Sequence, residues 1–216
     1  GPTLFALAGA AAFFLPQGFQ VSVASYSVLA VAYSVVLKTA LLLDVVTLAT
    51  LFVIHLFAGA AAIEVPASFW LLAFSLFFFT SLALSKRCAE LFNVEADPGR
   101  TAVASRAYRA ADLQTLQALG IGAGLMSVLV VALYIQDPVI QSLYSRPQVL
   151  WLLAPLVLYW ISRIWILVDR GDLHEDPLLF SLHDLPSQIT VIAMLALAWR
   201  SLLPLDRRTP PWRLVA

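Results

Sequence analysis

The sequence contains very little charge and only one cysteine. Charged residues make up 12% of the 216 residues, and the formal net charge is zero. Soluble domains carry about 25% charged residues, so this scarcity is typical of a membrane protein. A zero net charge gives no reason to expect nucleic acid as a partner. The single cysteine, Cys88, excludes an internal disulfide framework, and we expect it to pack as a small apolar side chain.

Familiar catalytic and cofactor patterns are missing as well. The sequence has no P-loop, Rossmann fingerprint, nucleophile elbow or zinc-ligand spacing. No basic segment precedes the first apolar run, which begins at Gly1-Pro2, and a secretory signal peptide is therefore not indicated. The abrupt start leads us to expect that an N-terminal part of the domain lies upstream of Gly1.

Long apolar stretches are what the sequence does contain. Apolar residues make up 61% of it, and the mean hydropathy is +0.88. A membrane-spanning helix needs about 20 mainly apolar residues, and no period-two alternation indicates a membrane barrel. We predict an all-α polytopic membrane bundle over residues 1–205, followed by a polar tail over 206–216. Its seven predicted spans are Gly1–Pro16, Phe19–Val36, Leu42–Ile63, Ser68–Ser85, Leu116–Ile135, Val149–Val168 and Ser187–Leu203.

The charges gather in and beside every second connection. The alternate connections contain a single basic residue, Arg146. The positive-inside rule therefore places the connections that are rich in Lys and Arg in the cytoplasm. The four arginines near the C-terminal end oppose this orientation, and we give more weight to the loops because several of them agree. The basic residues of the cytoplasmic set are Lys38, Lys86, Arg87, Arg100, Arg106, Arg109, Arg163 and Arg170.

The fourth connection carries the strongest candidate for a phosphate site. Lys86 and Glu90 are four residues apart and share a face if the fourth span continues as a helix. Arg106 and Arg109 follow at helical spacing. Arginine forks grip phosphate oxygens while carboxylates hold a divalent cation, so this mixture predicts a phosphate or diphosphate site. The alternative is that Lys86 and Arg87 only anchor the helix end at the membrane interface.

Two further clusters lie in the other charged connections. Lys38 and Asp44 flank the second connection, where they form a pair at a cavity mouth, unless Asp44 only complements the helix dipole. Arg163 lies inside the sixth span and needs an acidic partner or water. His174-Glu175-Asp176 is more typical of a solvated loop than of a metal site, because its spacing matches no established ligand pattern.

On these residues the chain resembles the UbiA superfamily of intramembrane prenyltransferases. The matching elements are Tyr33-Ser-Val-Val-Leu-Lys38 followed by Asp44, and Lys86-Arg87-Cys-Ala-Glu90, in the family's order. The chain is most similar to the branch of polyprenyl-phosphate phosphoribosyltransferases, whose bacterial members include fusions with a phosphatase-like domain. The resemblance implies a nine-helix fold in which our seven spans are spans three to nine. The family's first acidic motif, NDxxD, would then lie upstream of Gly1.

The resemblance also implies an activity and a site. It implies transfer between a polyprenyl phosphate or diphosphate and a second substrate, with Mg²⁺ at the cytoplasmic face. The cation-rich, acid-poor motif after the fourth span favours phosphoribosyl transfer, and aromatic prenyl transfer is the alternative. We expect catalytic roles for Lys38 and Asp44, a metal-binding role for Glu90, and phosphate binding by Lys86, Arg87, Arg106, Arg109 and Arg163.

Partners and competing functions follow from the same reasoning. We expect a polyprenyl lipid substrate, membrane lipids, a fused or associated soluble domain, no nucleic acid, and a location in the bacterial inner membrane. A transporter and a non-catalytic membrane module stay open as alternatives. Transporters place ionisable residues near the bilayer midplane, whereas the charges here crowd one interface, and this pattern weighs against transport.

Overall fold

The computed structural model describes residues 15–96, 108–173 and 176–202, with the side chains of 93–96 excepted. All regular structure within these ranges is helical, which confirms the all-α prediction. Two short 3₁₀ turns, Leu37–Thr39 and Ala110–Asp112, adjoin the longer helices. The α-helices are α1 Gln17–Val35, α2 Leu43–Ala62, α3 Phe69–Ala96, α4 Leu113–Gln136, α5 Pro138–Leu143, α6 Pro147–Leu150, α7 Leu153–Asp169, α8 Pro177–His183 and α9 Leu185–Leu202.

The protein is an integral, multi-pass membrane protein. Six helical segments in the described part of the chain are long and apolar enough to cross a bilayer. They match the second to seventh predicted spans, whereas nearly all of the first, Gly1–Pro16, lies outside the described residues. The six segments are Gln17–Val35, Leu43–Ala62, Phe69–Phe92, Ala110–Gln136, Pro147–Asp169 and Leu185–Leu202.

Several helical elements differ from the sequence-based prediction. Helix α3 does not stop at Ser85 but continues to Ala96, because Lys and Arg are good helix formers and do not break the helix. The sixth span is divided into α6 and α7 by a turn at 151–152. The last connection contains α8, which the prediction missed. Asp176 caps its N-terminus by accepting a hydrogen bond from the Leu178 amide, and Pro177 fills the first helical position.

Helices α3, α4 and α7 meet at a joint made by small residues. Gly120 and Gly124 on α4 lie so close to α7 that an added Cβ would be 2.2 Å from Trp165 and 2.6 Å from Ile161, respectively. Ser81 on α3 donates a 2.7 Å hydrogen bond to the Gly120 carbonyl and accepts one of 3.0 Å from Trp165 Nε1. Small residues permit this close approach of membrane helices, so the joint fixes how α3, α4 and α7 are spaced.

The charged connections meet at one end of the bundle, which we call the charged end. Lys86 in the second half of α3 forms a 2.6 Å ion pair with Asp176, which precedes α8. Gln117 in the first turns of α4 donates to Asp169 at the end of α7. The fold thus brings together side chains from connections that the sequence separates by as many as 90 residues.

Candidate functional site

A buried ionic cluster lies at the charged end. Asp44 in the first turn of α2 accepts a 2.7 Å hydrogen bond from Nε of Arg87 on α3. Both side chains are buried, with exposed fractions of 0% and 2%. Two charges this deep are stable only when each is paired and hydrogen-bonded. Sequence reasoning placed both residues in the site, and the structure brings them into direct contact.

The Arg87 guanidinium has a protein partner at each of its three nitrogens. Besides Asp44, it donates from Nη1 to Glu90 Oε2 at 2.7 Å and from Nη2 to the Tyr33 hydroxyl at 3.2 Å. A planar guanidinium can hold several acceptors at fixed directions. Phosphate binding by Arg87 therefore stays a prediction, and the geometry favours a different role in which Arg87 orients Asp44 and Glu90.

Tyr108 completes the cluster, and no pattern in the sequence indicated a role for it. Its hydroxyl donates to Asp44 Oδ1 and accepts a 3.1 Å hydrogen bond from the Leu42 amide. Leu42 has the left-handed backbone conformation (φ 61°), which is unfavourable for a branched side chain. Tyr108 thus holds both Asp44 and the strained turn before α2. Burial, together with the hydrogen bond to Asp44, raises the pKa of Tyr108 above its usual range, so it stays a neutral donor.

Three predicted cations lie around this cluster in more accessible positions. Lys86 is 38% exposed in its ion pair with Asp176. Lys38 lies in the 3₁₀ turn after α1, is exposed, and has no ion pair with any residue the structure describes. Arg109 is exposed at the start of the next 3₁₀ turn, where its backbone amide donates to Asp112. These cations, unlike Arg87, present charge toward solvent at the charged end.

The two remaining predicted phosphate-binding residues have different outcomes. Arg106 lies outside the described residues. Arg163 forms a two-pronged pair with Asp184, at 2.6 and 2.9 Å, and so has the acidic partner that its position in a span requires. Burial by itself would raise the pKa of Asp184, but hydrogen bonds from Ser187 and Arg163 outweigh it and lower the pKa. Phosphate binding by Arg163 stays a prediction.

The Mg²⁺ site that the resemblance implies stays a prediction. No three His, Cys, Asp or Glu side chains among them gather around one point. Asp44 is fully buried, and its two oxygens already accept hydrogen bonds from Arg87 and Tyr108. Mg²⁺ requires open oxygens and usually retains several waters, which this buried carboxylate cannot offer. Metal binding by Glu90 stays a prediction as well.

Comparison with known proteins shows similarity to two longer bacterial proteins. The chain is 33% identical over 166 residues to the uncharacterized protein y4nM of Sinorhizobium fredii, covering 76% of this chain and 32% of that protein. It is also 33% identical over 175 residues to the nodulation protein NoeC of Azorhizobium caulinodans, covering 79% of this chain and 55% of NoeC. No protein-family model matches the chain. The chain thus spans about a third and about half of these relatives.

The hydroxyl of Tyr108 provides a direct test of the cluster. We expect Tyr108→Phe to lower the free energy of unfolding by about 1.5–3 kcal/mol, because a hydrogen bond to a buried carboxylate is lost. The Leu42 amide loses its acceptor in the same variant, so its hydrogen exchange should accelerate. Denaturant titration in mixed micelles measures the first effect, and exchange mass spectrometry over 40–46 measures the second.

Tyr159→Phe is the matched control for this experiment. Tyr159 lies on α7 and is 51% exposed, so removing its hydroxyl should leave both measurements unchanged. Equal stability of the Tyr108 variant and the wild-type protein would contradict a stabilising role for the hydroxyl.

Proposed function

We propose that this protein is an intramembrane transferase of the UbiA type that acts on a polyprenyl phosphate or diphosphate. The observation that carries the proposal is the fixed Asp44–Arg87–Glu90 network at the polar end of apolar helices. Apolar helices suit a long isoprenoid tail, while the charged end suits its phosphate. Phosphoribosyl transfer is favoured over prenyl transfer because the motif after the fourth predicted span, Lys86-Arg87-Cys-Ala-Glu90, is rich in cations and poor in acids.

In this proposal the buried cluster positions side chains, and the cations around it bind phosphate. Arg87 is a positioning residue, since its three nitrogens hold Asp44, Glu90 and Tyr33. The exposed cations Lys38, Lys86 and Arg109 lie where a phosphate could reach them. Positive groups that are fixed before the reaction stabilise a leaving diphosphate at little reorganisation cost.

The favoured reaction is a substitution at the anomeric carbon of phosphoribosyl diphosphate. A phosphate oxygen of the polyprenyl phosphate forms a bond to that carbon, and the bond from the carbon to the diphosphate oxygen breaks. The diphosphate leaves with the electron pair, and its growing negative charge is what the cations at the charged end stabilise. No proton transfer or redox partner is needed for this balance.

The relatives bear on the setting of the proposed reaction. Both are bacterial proteins that extend beyond the aligned region, which is compatible with a fused or associated soluble domain. One of them is named a nodulation protein, and this role is stated for that relative only. We propose the bacterial inner membrane as the location, with the charged end in the cytoplasm.

The proposed activity predicts a radiolabelled lipid product. The full-length protein in lipid vesicles, given polyprenyl phosphate and labelled phosphoribosyl diphosphate, should transfer label into the organic phase. A parallel reaction with polyprenyl diphosphate and an aromatic acceptor tests prenyl transfer, and both are run with and without Mg²⁺. Lys38→Gln should lower the rate on the order of a hundredfold, since a positive group facing the leaving diphosphate is lost.

Arg200→Gln is the control and should leave the rate unchanged. Arg200 is an exposed cation in the last turn of α9, away from the charged end. Folding of each variant is checked by its elution volume and melting temperature. If no pairing of substrates gives a product, the transferase proposal is wrong. If Lys38→Gln and Arg200→Gln have equal rates, the charged end is not the reaction site.

A further inference from the structure

A long groove runs between α4 and α7 and is separate from the buried ionic cluster. Its volume is about 670 Å³, which is within the usual range of about 300–1,000 Å³ for ligand sites. Ile121, Leu125 and Ile166 line its walls and are 42–51% exposed. From Gln117 to Leu125 the wall is eight residues long, which corresponds to about 12 Å along the helix. Because its walls are apolar and belong to membrane-spanning helices, the groove suits part of an acyl chain.

The mouth of the groove carries both signs of charge. Asp169 and Arg170, at the end of α7, line it together with Gln117. Asp169 accepts a 3.2 Å hydrogen bond from Gln117 and is exposed. Arg170 is also exposed and has no ion pair with a residue in the described ranges. The mouth therefore offers one anchored carboxylate and one guanidinium that has no ion pair within the described ranges, beside apolar walls.

We propose that this groove binds a zwitterionic phospholipid whose headgroup carries a primary ammonium, namely a phosphoethanolamine lipid. Its phosphate would pair with Arg170, its ammonium would donate to Asp169, and one acyl chain would lie along α4 and α7. An anionic headgroup would satisfy Arg170 but would bring negative charge next to Asp169. A choline headgroup has no N–H and cannot donate to the carboxylate. The opposite charges at the mouth thus favour phosphoethanolamine over both.

Native mass spectrometry of the full chain in detergent tests this lipid site. The protein is titrated with phosphatidylethanolamine, phosphatidylcholine and phosphatidylglycerol that carry identical acyl chains. We expect about tenfold tighter binding of phosphatidylethanolamine than of phosphatidylcholine, the ratio that one hydrogen bond to a charged group provides. Asp169→Asn should abolish this preference, whereas Arg170→Gln should weaken binding of all three lipids because they share the phosphate. Leu125→Trp should also weaken binding of all three lipids because it fills the groove.

A second groove, between α7 and α9, supplies the matched control. It is lined by Arg200 but by no acidic residue, so Arg200→Gln should leave the preference unchanged. Equal binding of the ethanolamine and choline lipids would overturn the proposal. A preference for phosphatidylglycerol, or an ethanolamine preference that persists in Asp169→Asn, would also overturn it. None of these readouts requires transferase activity, so the lipid site and the proposed reaction can fail independently.

Discussion

Replacing Arg87 with methionine is expected to lower the free energy of unfolding by about 3–5 kcal/mol. The substitution leaves Asp44 fully buried without its cation, and it removes a 2.7 Å partner from Glu90 as well. An uncompensated buried charge is far more costly than the absence of a whole ion pair. Denaturant titration of the purified protein in mixed micelles measures this loss.

Two further variants separate the buried pair from a general effect of lost charge. Lys86→Met removes the adjacent cation, but its ion pair with Asp176 is more than a third exposed on the lysine side, so we expect a loss below about 1 kcal/mol. The double variant R87M/D44L removes both buried charges, and its loss should be well below the sum of the single losses. Equal losses for Arg87→Met and Lys86→Met would refute the cluster's structural role.

Gly120→Ala should also lower the free energy of unfolding, with an expected loss of about 1–3 kcal/mol. The added methyl group would lie 2.2 Å from Trp165. The hydrogen bond from the indole nitrogen to Ser81 restricts the movement of this side chain. Pushing α4 away from α7 would also strain the hydrogen bond from Ser81 to the Gly120 carbonyl. The same unfolding titration measures the effect.

The helix itself offers the control for Gly120. Gly122 lies on α4 with nothing within 4 Å of an added Cβ, so Gly122→Ala should be neutral or stabilise the helix by up to about 1 kcal/mol. The clash at Gly120 involves the outer ring of the indole, and Trp165→Phe in the Gly120→Ala background should recover part of the loss. A destabilisation equal for both glycines would show that close packing is not the cause.

The fold class was predictable because the signals are long and redundant. Six of the seven predicted spans have counterparts in the structure, since twenty apolar residues leave few alternatives to a membrane helix. Helix ends were less predictable. The extension of α3 beyond Ser85 brings Lys86 and Arg87 to carboxylates on other elements, and no local pattern in the sequence shows which carboxylates these are.

The candidate site was predictable in its charges but not in its connections. Charge spacing identified Asp44, Arg87 and Glu90, yet it suggested an open phosphate rim rather than a buried cluster. Tyr108 was missed because a lone tyrosine in a polar connection has no distinguishing pattern. Its importance comes from a contact with Asp44 across 64 residues of sequence, and such a contact depends on the tertiary fold.

The buried cluster has a consequence for the order in which the chain is made. Asp44 is synthesised before Arg87 and Tyr108, which follow it by 43 and 64 residues. At a synthesis rate of about 5–20 residues per second, Arg87 is added roughly 2–9 s after Asp44. During that time Asp44 is an unpaired carboxylate at the start of an apolar helix, so α2 must keep this end in water. Deep burial of Asp44 can therefore begin only after α3 has arrived.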